Sequence, residues 1–126
     1  MHSLNLDTSS IADAELAHLK GLAELEELYL GATPVTDEGL AHLRGLTRLK
    51  SLDLWDTVVT DAGLAHLKAL ERLERLDLTN TRVTDVGLQH LSLLTGLRKV
   101  YLKGTAVTNA GAERLHRAQP LVEVIR

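Results

Sequence analysis

Cysteine and phenylalanine are absent from the 126 residues, and there are only one tryptophan, two tyrosines, one methionine and two prolines. Each scarcity removes a possibility. Without cysteine, disulfides and thiolate metal sites are excluded, and the redox compartment stays open. Without phenylalanine, an apolar content of 44% has to come almost wholly from leucine, valine and alanine. Such a core is built from many small repeated contacts. A basic surplus is missing as well. The net charge is −3, whereas nucleic-acid or membrane-surface binding needs clustered Lys and Arg. No apolar run approaches the ~18 residues of a membrane helix. The opening MHSLNLDTSS lacks the basic-then-apolar pattern of a secretory signal. The expectation is a cytoplasmic chain with no cofactor.

What is abundant is a period. Aligned every 24 residues, the chain superimposes without a gap. Residues 25–48 read LEELYLGATPVTDEGLAHLRGLTR, 49–72 LKSLDLWDTVVTDAGLAHLKALER, 73–96 LERLDLTNTRVTDVGLQHLSLLTG and 97–120 LRKVYLKGTAVTNAGAERLHRAQP. Residues 1–24 fit more loosely, with Leu4, Leu6, Ile11, Leu16, Leu19 and Leu22 in register, and 121–126 begin a sixth copy. The whole of 1–126 is therefore expected to form a single domain.

Within each copy the periodicity changes. LYL, LDL, LDL and VYL alternate with period 2, as a short strand does, and then apolar residues fall three apart at Leu40, Leu43 and Leu46, as on a helix. Thr36 is placed as an N-cap, with Asp37 in the first turn where the helix dipole favours a carboxylate. Val35 and Leu40 are spaced for a hydrophobic staple. Thr60-Asp61 and Thr84-Asp85 repeat the device, and Thr108-Asn109 repeats it without the charge. Gly39, Gly63, Gly87 and Gly111 occupy that first turn, where a small residue lets neighbouring turns approach.

The pattern LxxLxLxxTxVTDxGLxxLxxL resembles the leucine-rich repeat, of the ribonuclease-inhibitor-like and bacterial 24-residue types, over the whole chain. The resemblance implies an α/β solenoid: a parallel sheet on the concave face, short helices on the convex face, and about five stacked repeats. One unit cannot bury its own apolar face, so stacking is required. Where the family usually has Asn or Cys, this chain has Thr33, Thr57, Thr81 and Thr105. A ladder of threonine hydroxyls bonding loop backbone is expected in place of the asparagine ladder. The last unit, with Ala112 and Ala118 for Leu88 and Leu94, has a polar closing helix and reads as a genuine end. The first unit shows no comparable cap, which implies either excision from a longer protein or cover by a second copy.

In this repeat the leucines of LxxLxLxx point inward and the residues between them project from the concave face. The rows are then Ser3, Glu27, Ser51, Arg75, Lys99, Glu123; Asn5, Tyr29, Asp53, Asp77, Tyr101, Ile125; Asp7, Gly31, Trp55, Thr79, Lys103; and Thr8, Ala32, Asp56, Asn80, Gly104. Tyr29, Trp55 and Tyr101, all the aromatic residues of the chain, lie on these rows. Exposed aromatics on one face serve as binding anchors, although Tyr and Trp also suit strands in their own right. Gly31 and Ala32 are expected to leave open space beside Trp55 and Asp56. Asp53 and Asp77 should be neighbours about 5 Å apart, a destabilising arrangement. It would be relieved either by a partner's cation or by Arg75.

Spacing alone would let those carboxylates act as a glycosidase pair. A shallow open sheet, however, offers no water-excluding pocket to shift one of them. His18, His42, His66 and His90 also recur, but helices pack about 8–10 Å apart, too far for two imidazoles to share a zinc at ~2 Å bonds. They read as structural, and no metal site is expected. The leading expectation is a non-enzymatic protein-interaction module with Tyr29, Asp53, Trp55, Asp56, Asp77, Lys99, Tyr101 and Lys103 on its binding face. The alternative is an assembly element that dimerises through its end strands, of which LVEVIR is one.

Overall fold

The computed structural model describes residues 2–126. Six strands, β1 (Ser3–Asn5), β2 (Glu27–Tyr29), β3 (Ser51–Asp53), β4 (Arg75–Asp77), β5 (Lys99–Tyr101) and β6 (Glu123–Ile125), form one parallel sheet in sequence order. Every register pair joins residue i to residue i + 24, from Ser3↔Glu27 to Tyr101↔Ile125. The repeat period is thus the sheet register itself. Helices α1 (Asp13–Leu16), α2 (Asp37–Leu40), α3 (Asp61–Leu64), α4 (Asp85–Leu91) and α5 (Asn109–Ala118) alternate with the strands. The first three tighten into 3₁₀ turns over Ala17–Leu19, Ala41–Leu43 and Ala65–Ala69.

Between strands and helices lies a core of leucine and valine. The inward positions Leu28, Leu52 and Leu76 of the strands and Leu40, Leu64 and Leu43 of the helices are fully buried, and Val35 with them. At the amino-terminal end Leu4, Leu6, Ile11 and Leu22 are only partly covered. At the other end Leu121 is 71% exposed, whereas Leu97, one repeat earlier, is fully buried.

The threonines divide into two sets. Thr33, Thr57, Thr81 and Thr105 donate to the carbonyls of Leu30, Leu54, Leu78 and Leu102 at 2.6–2.8 Å. The expected bonding to loop backbone is present, but it stays inside each repeat, so there is no threonine ladder.

The ladder between repeats is made instead by the aspartates read as helix-dipole residues. Asp37 Oδ1 accepts the Thr60 N–H at 2.7 Å and its Oδ2 accepts the Thr60 hydroxyl at 2.5 Å. Asp61 holds Thr84 and Asp85 holds Thr108 in the same way, and Asp13 holds Thr36. The Thr108 bonds keep the Asp85 carboxyl below its ordinary range. Capping of the helices is secondary: Thr60 and Thr84 accept from Ala62 and Val86 at 3.3 Å, and Thr36 makes no cap bond.

Both ends of this ladder are closed locally. Ala12 replaces threonine, and its N–H is taken by Glu15 Oε2 at 3.0 Å. Asn109 replaces aspartate, and its Oδ1 accepts from Arg126, which also bonds the Val107 carbonyl at 2.7 Å. The first repeat, expected to lack a cap, leaves its apolar edge half-covered, while Glu15 takes the Ala12 N–H that would otherwise end the ladder.

One position per repeat turns left-handed: Thr8, Ala32, Asp56 and Asn80 have φ of 53–60°, and Gly104 has φ 75°. Asp and Asn tolerate this region, whereas alanine there is strained by about 1–2 kcal/mol. Ala32→Gly relieves that strain at some cost in chain entropy, so urea unfolding should show a gain of about 0.5–1 kcal/mol. An unchanged or lower midpoint would mean the turn is held without strain.

Candidate functional site

The concave face is built by residues that alternate with the buried leucines of β1–β6, and it splits into two contact systems. The first runs diagonally over β3–β5. Asp53 is 7% exposed, and the Arg75 guanidinium of the next strand is bonded to its carboxylate. Arg75 Cζ in turn lies 4.9 Å from the centroid of the Tyr101 ring. One cation therefore bridges a buried carboxylate and an aromatic face. Asp77, the register neighbour of Asp53, turns aside and accepts the Thr79 N–H at 3.0 Å. The Asp53–Asp77 repulsion is thus relieved inside the molecule, by Arg75, and needs no partner's cation.

Burial nevertheless pushes the Asp53 carboxyl above its ordinary range, with Asp77 and Asp7 adding to the push, and Arg75 only partly opposes it. The native state therefore holds this proton more tightly than the unfolded chain. Ionising Asp53 costs stability at pH values above the raised pKa, and the cost fades as pH falls through it. The pair orients Arg75 and Tyr101 more than it stabilises the sheet.

The second system lies over the loops that follow β1–β3. A Cβ built on Gly31 would fall 2.1 Å from Trp55 Cε2 and Nε1. The indole therefore lies across the glycine backbone, and the open space expected beside Trp55 is filled by Trp55 itself. A large side chain in the loop after a strand leans onto the adjacent repeat when that repeat offers no side chain at the matching position. Asp7, from the other side, accepts the Gly31 N–H at 2.7 Å. Asp56 is exposed and accepts from Asn80 Nδ2 at 2.8 Å.

Tyr29 is half-buried beside Glu27, and burial together with that carboxylate pushes its hydroxyl up. Lys99 is 3.8 Å from Glu123. Lys103 is exposed, with no carboxylate within ion-pair distance among the described residues. Of the eight residues singled out by pattern, Asp53 and Tyr101 are brought together through Arg75, while Trp55 lies on Gly31, whose N–H is held by Asp7. Lys99 and Lys103 stand apart from both systems. Gly31 and Asp7 were the omissions, and their spacing of 24, a glycine preceding a tryptophan by one repeat, was the available signal.

The histidines sit on the helical side. Arg44 is bonded to His66 Nδ1, and burial followed by the Arg44 charge pushes the His66 imidazole down. Among the described residues no three His, Asp or Glu side chains converge as metal ligands would. An apolar groove of about 160 Å³ lies between α4 and α5, over Leu88, Leu115 and Ala118. It arises where the last repeat replaces leucine by alanine. No helix among the described residues is long and apolar enough to cross a membrane.

A leucine-rich repeat family matches residues 72–92. Solved structures superimpose over nearly the whole chain. An internalin (inlF) of Listeria monocytogenes aligns with a TM-score of 0.84 at 23% identity, covering 99% of this chain and 34% of that one. The chain has the leucine-rich repeat fold. An internalin C2 from the same organism aligns with a TM-score of 0.76 at 28% identity, covering 98% of this chain and 51% of the other. A leucine-rich repeat protein of Leptospira interrogans gives 0.72 at 17% identity, with 100% and 37% covered. This repeat protein thus spans a third to a half of the length of those solved chains. Among the curated proteins none matches it. Leucine-rich repeats generally mediate protein–protein interaction and are typically non-enzymatic.

Proposed function

We propose that the concave sheet is a docking face for a protein or an extended peptide segment. The observation that carries this is the placement of Tyr29, Trp55 and Tyr101, which all stand half-buried on one face above a core that contains no aromatic residue. Large rigid side chains offer contact area at little entropic cost, which is why they anchor interfaces. Asp56 and Asp77 on one side and Lys99 and Lys103 on the other set the orientation of the partner. Asp53, being buried under Arg75, supports the surface and does not touch the partner.

Capture of a partner by the immobilised chain tests the role. Trp55→Ala with Tyr101→Ala, checked for native circular dichroism, should lose at least about tenfold of the captured partner, since interface anchors are worth about 2 kcal/mol or more each. Val86→Ser, on the opposite helical face where Val86 is exposed, should capture the same protein at full strength. Equal capture by all three chains would remove the concave face as the docking surface.

Pairing through the end strands has less support. β1 and β6 are three residues long, and short edge strands are how proteins blunt such pairing. Arg126 folds back on Asn109 and Val107 instead of extending the edge.

A further inference from the structure

We infer that the corner of the concave face at Gly31 seats a cationic side chain of the docked partner, arginine by preference. The inference rests on the docking role proposed above and names the chemistry that role selects.

Two side chains from different strands converge on this one glycine. Asp7, after β1, accepts the Gly31 N–H through Oδ1. Trp55, after β3, lays its indole across the Gly31 backbone. With one ring face against the glycine and the residue only half-buried, the other face looks onto the concave side. An indole face is the strongest of the aromatic cation-binding surfaces, and Asp7, bonded to the same Gly31 through Oδ1, has a second carboxylate oxygen to offer. No basic side chain among the described residues lies within ion-pair distance of Asp7.

The same chemistry is already at work next door. Arg75 is held between the Asp53 carboxylate and the Tyr101 ring. Asp7 and Trp55 bring a second carboxylate and a second aromatic ring to one residue, Gly31, of the same face, and among the described residues no basic side chain lies within ion-pair distance of Asp7. The charge around it points the same way. The concave rows of β1–β4 carry Asp7, Glu27, Asp53, Asp56 and Asp77, against Arg75 alone, which is committed to Asp53 and Tyr101. A basic segment therefore complements this end of the face, and an acidic one is repelled. Arginine fits better than lysine because its planar guanidinium stacks on the indole while forking the carboxylate, whereas an ammonium is a point charge.

Trp55 is the only tryptophan, so its emission reads the seat directly. The probes are (Gly-Arg)4, (Gly-Lys)4 and (Gly-Glu)4 peptides titrated at low ionic strength. The arginine peptide should change the emission saturably and bind about fivefold more tightly than the lysine peptide, with no response to the glutamate peptide. Asp7→Asn keeps an oxygen for the Gly31 N–H and so keeps the fold; it should weaken the arginine peptide about fivefold. Glu38→Gln, which removes the same charge from the helical face, should leave it unchanged. No response to the arginine peptide, an equal response to the glutamate peptide, equal affinities for arginine and lysine, or equal losses in the two charge variants would overturn the seat. In the capture experiment, a partner lost by Trp55→Ala, Tyr101→Ala but fully kept by Asp7→Asn would leave the docking face standing and overturn the seat. A partner kept by every variant would overturn both.

Discussion

Gly63→Ala should lower the stability of this repeat array by about 2 kcal/mol, although helix propensity alone favours alanine over glycine by about 1 kcal/mol. The opposite signs make the test decisive. Gly63 stands in the first turn of α3, and a Cβ there would fall 2.4 Å from Asp37 Oδ1 and 3.0 Å from Leu40 Cδ1. The leucine is fully buried and cannot yield. The carboxylate has to move, and it is the group that takes both the N–H and the hydroxyl of Thr60. Displacing it breaks two charge-assisted bonds between neighbouring repeats, each worth about 1.5–3 kcal/mol less the part that water restores. Urea unfolding of the variant should show a lower midpoint with an unchanged slope. A higher midpoint would mean that the Asp37 ladder contributes nothing and that the glycine serves only the backbone.

Leu52→Ala should cost more, about 3 kcal/mol within the usual span of about 2–5 for a fully buried leucine. Leu52 is at the centre of β3, pairs with Leu28 and Leu76 on either side, and is completely buried. A total stability of about 6–19 kcal/mol is expected for a chain of this length, so the loss is a sizeable fraction. Position matters as well as burial. Each repeat contacts only its neighbours, so a defect in the middle separates two halves that are each too short to stand alone. Leu4→Ala, on the half-covered end strand, should cost less than about 1 kcal/mol, because little area is lost and only one neighbour is affected. Comparable losses at the two sites would contradict the one-dimensional coupling of the array.

Much of the fold was legible because a translation of 24 residues in the chain is also the step between strands in space. That identity places Leu28, Leu52 and Leu76 in one buried row and Tyr29, Asp53 and Asp77 in one row between them, and the register pairs confirm both rows, although Asp53 turns out buried. The candidate site was legible only as an inventory. Which side chain leans on which depends on contacts between residues 22–24 apart, and the rotamers of those residues are chosen by the neighbouring repeat. The helix-dipole role assigned to Asp37 was local and incomplete, since the carboxylate reaches forward to Thr60 rather than serving its own helix alone. The expected bonding of threonine hydroxyls to loop backbone is present, but each bond closes within its own repeat on the carbonyl three residues back, so the bonds form no ladder.

The sequence by itself therefore determined the architecture: the repeat length, the parallel order of strands, the leucine core, and a face bearing every aromatic residue. The repeat length and the apolar positions follow from spacing, and the resemblance to leucine-rich repeats supplied the strand order and the face on which the aromatic residues lie. Tertiary structure decided the rest. It joined Arg75 to Asp53 and Tyr101, laid Trp55 on Gly31 beside Asp7, and turned the Thr-Asp pairs into the bonds that hold one repeat to the next. Surface side chains have several staggered wells of similar energy, and only the neighbouring repeat, close in space and distant in sequence, selects among them.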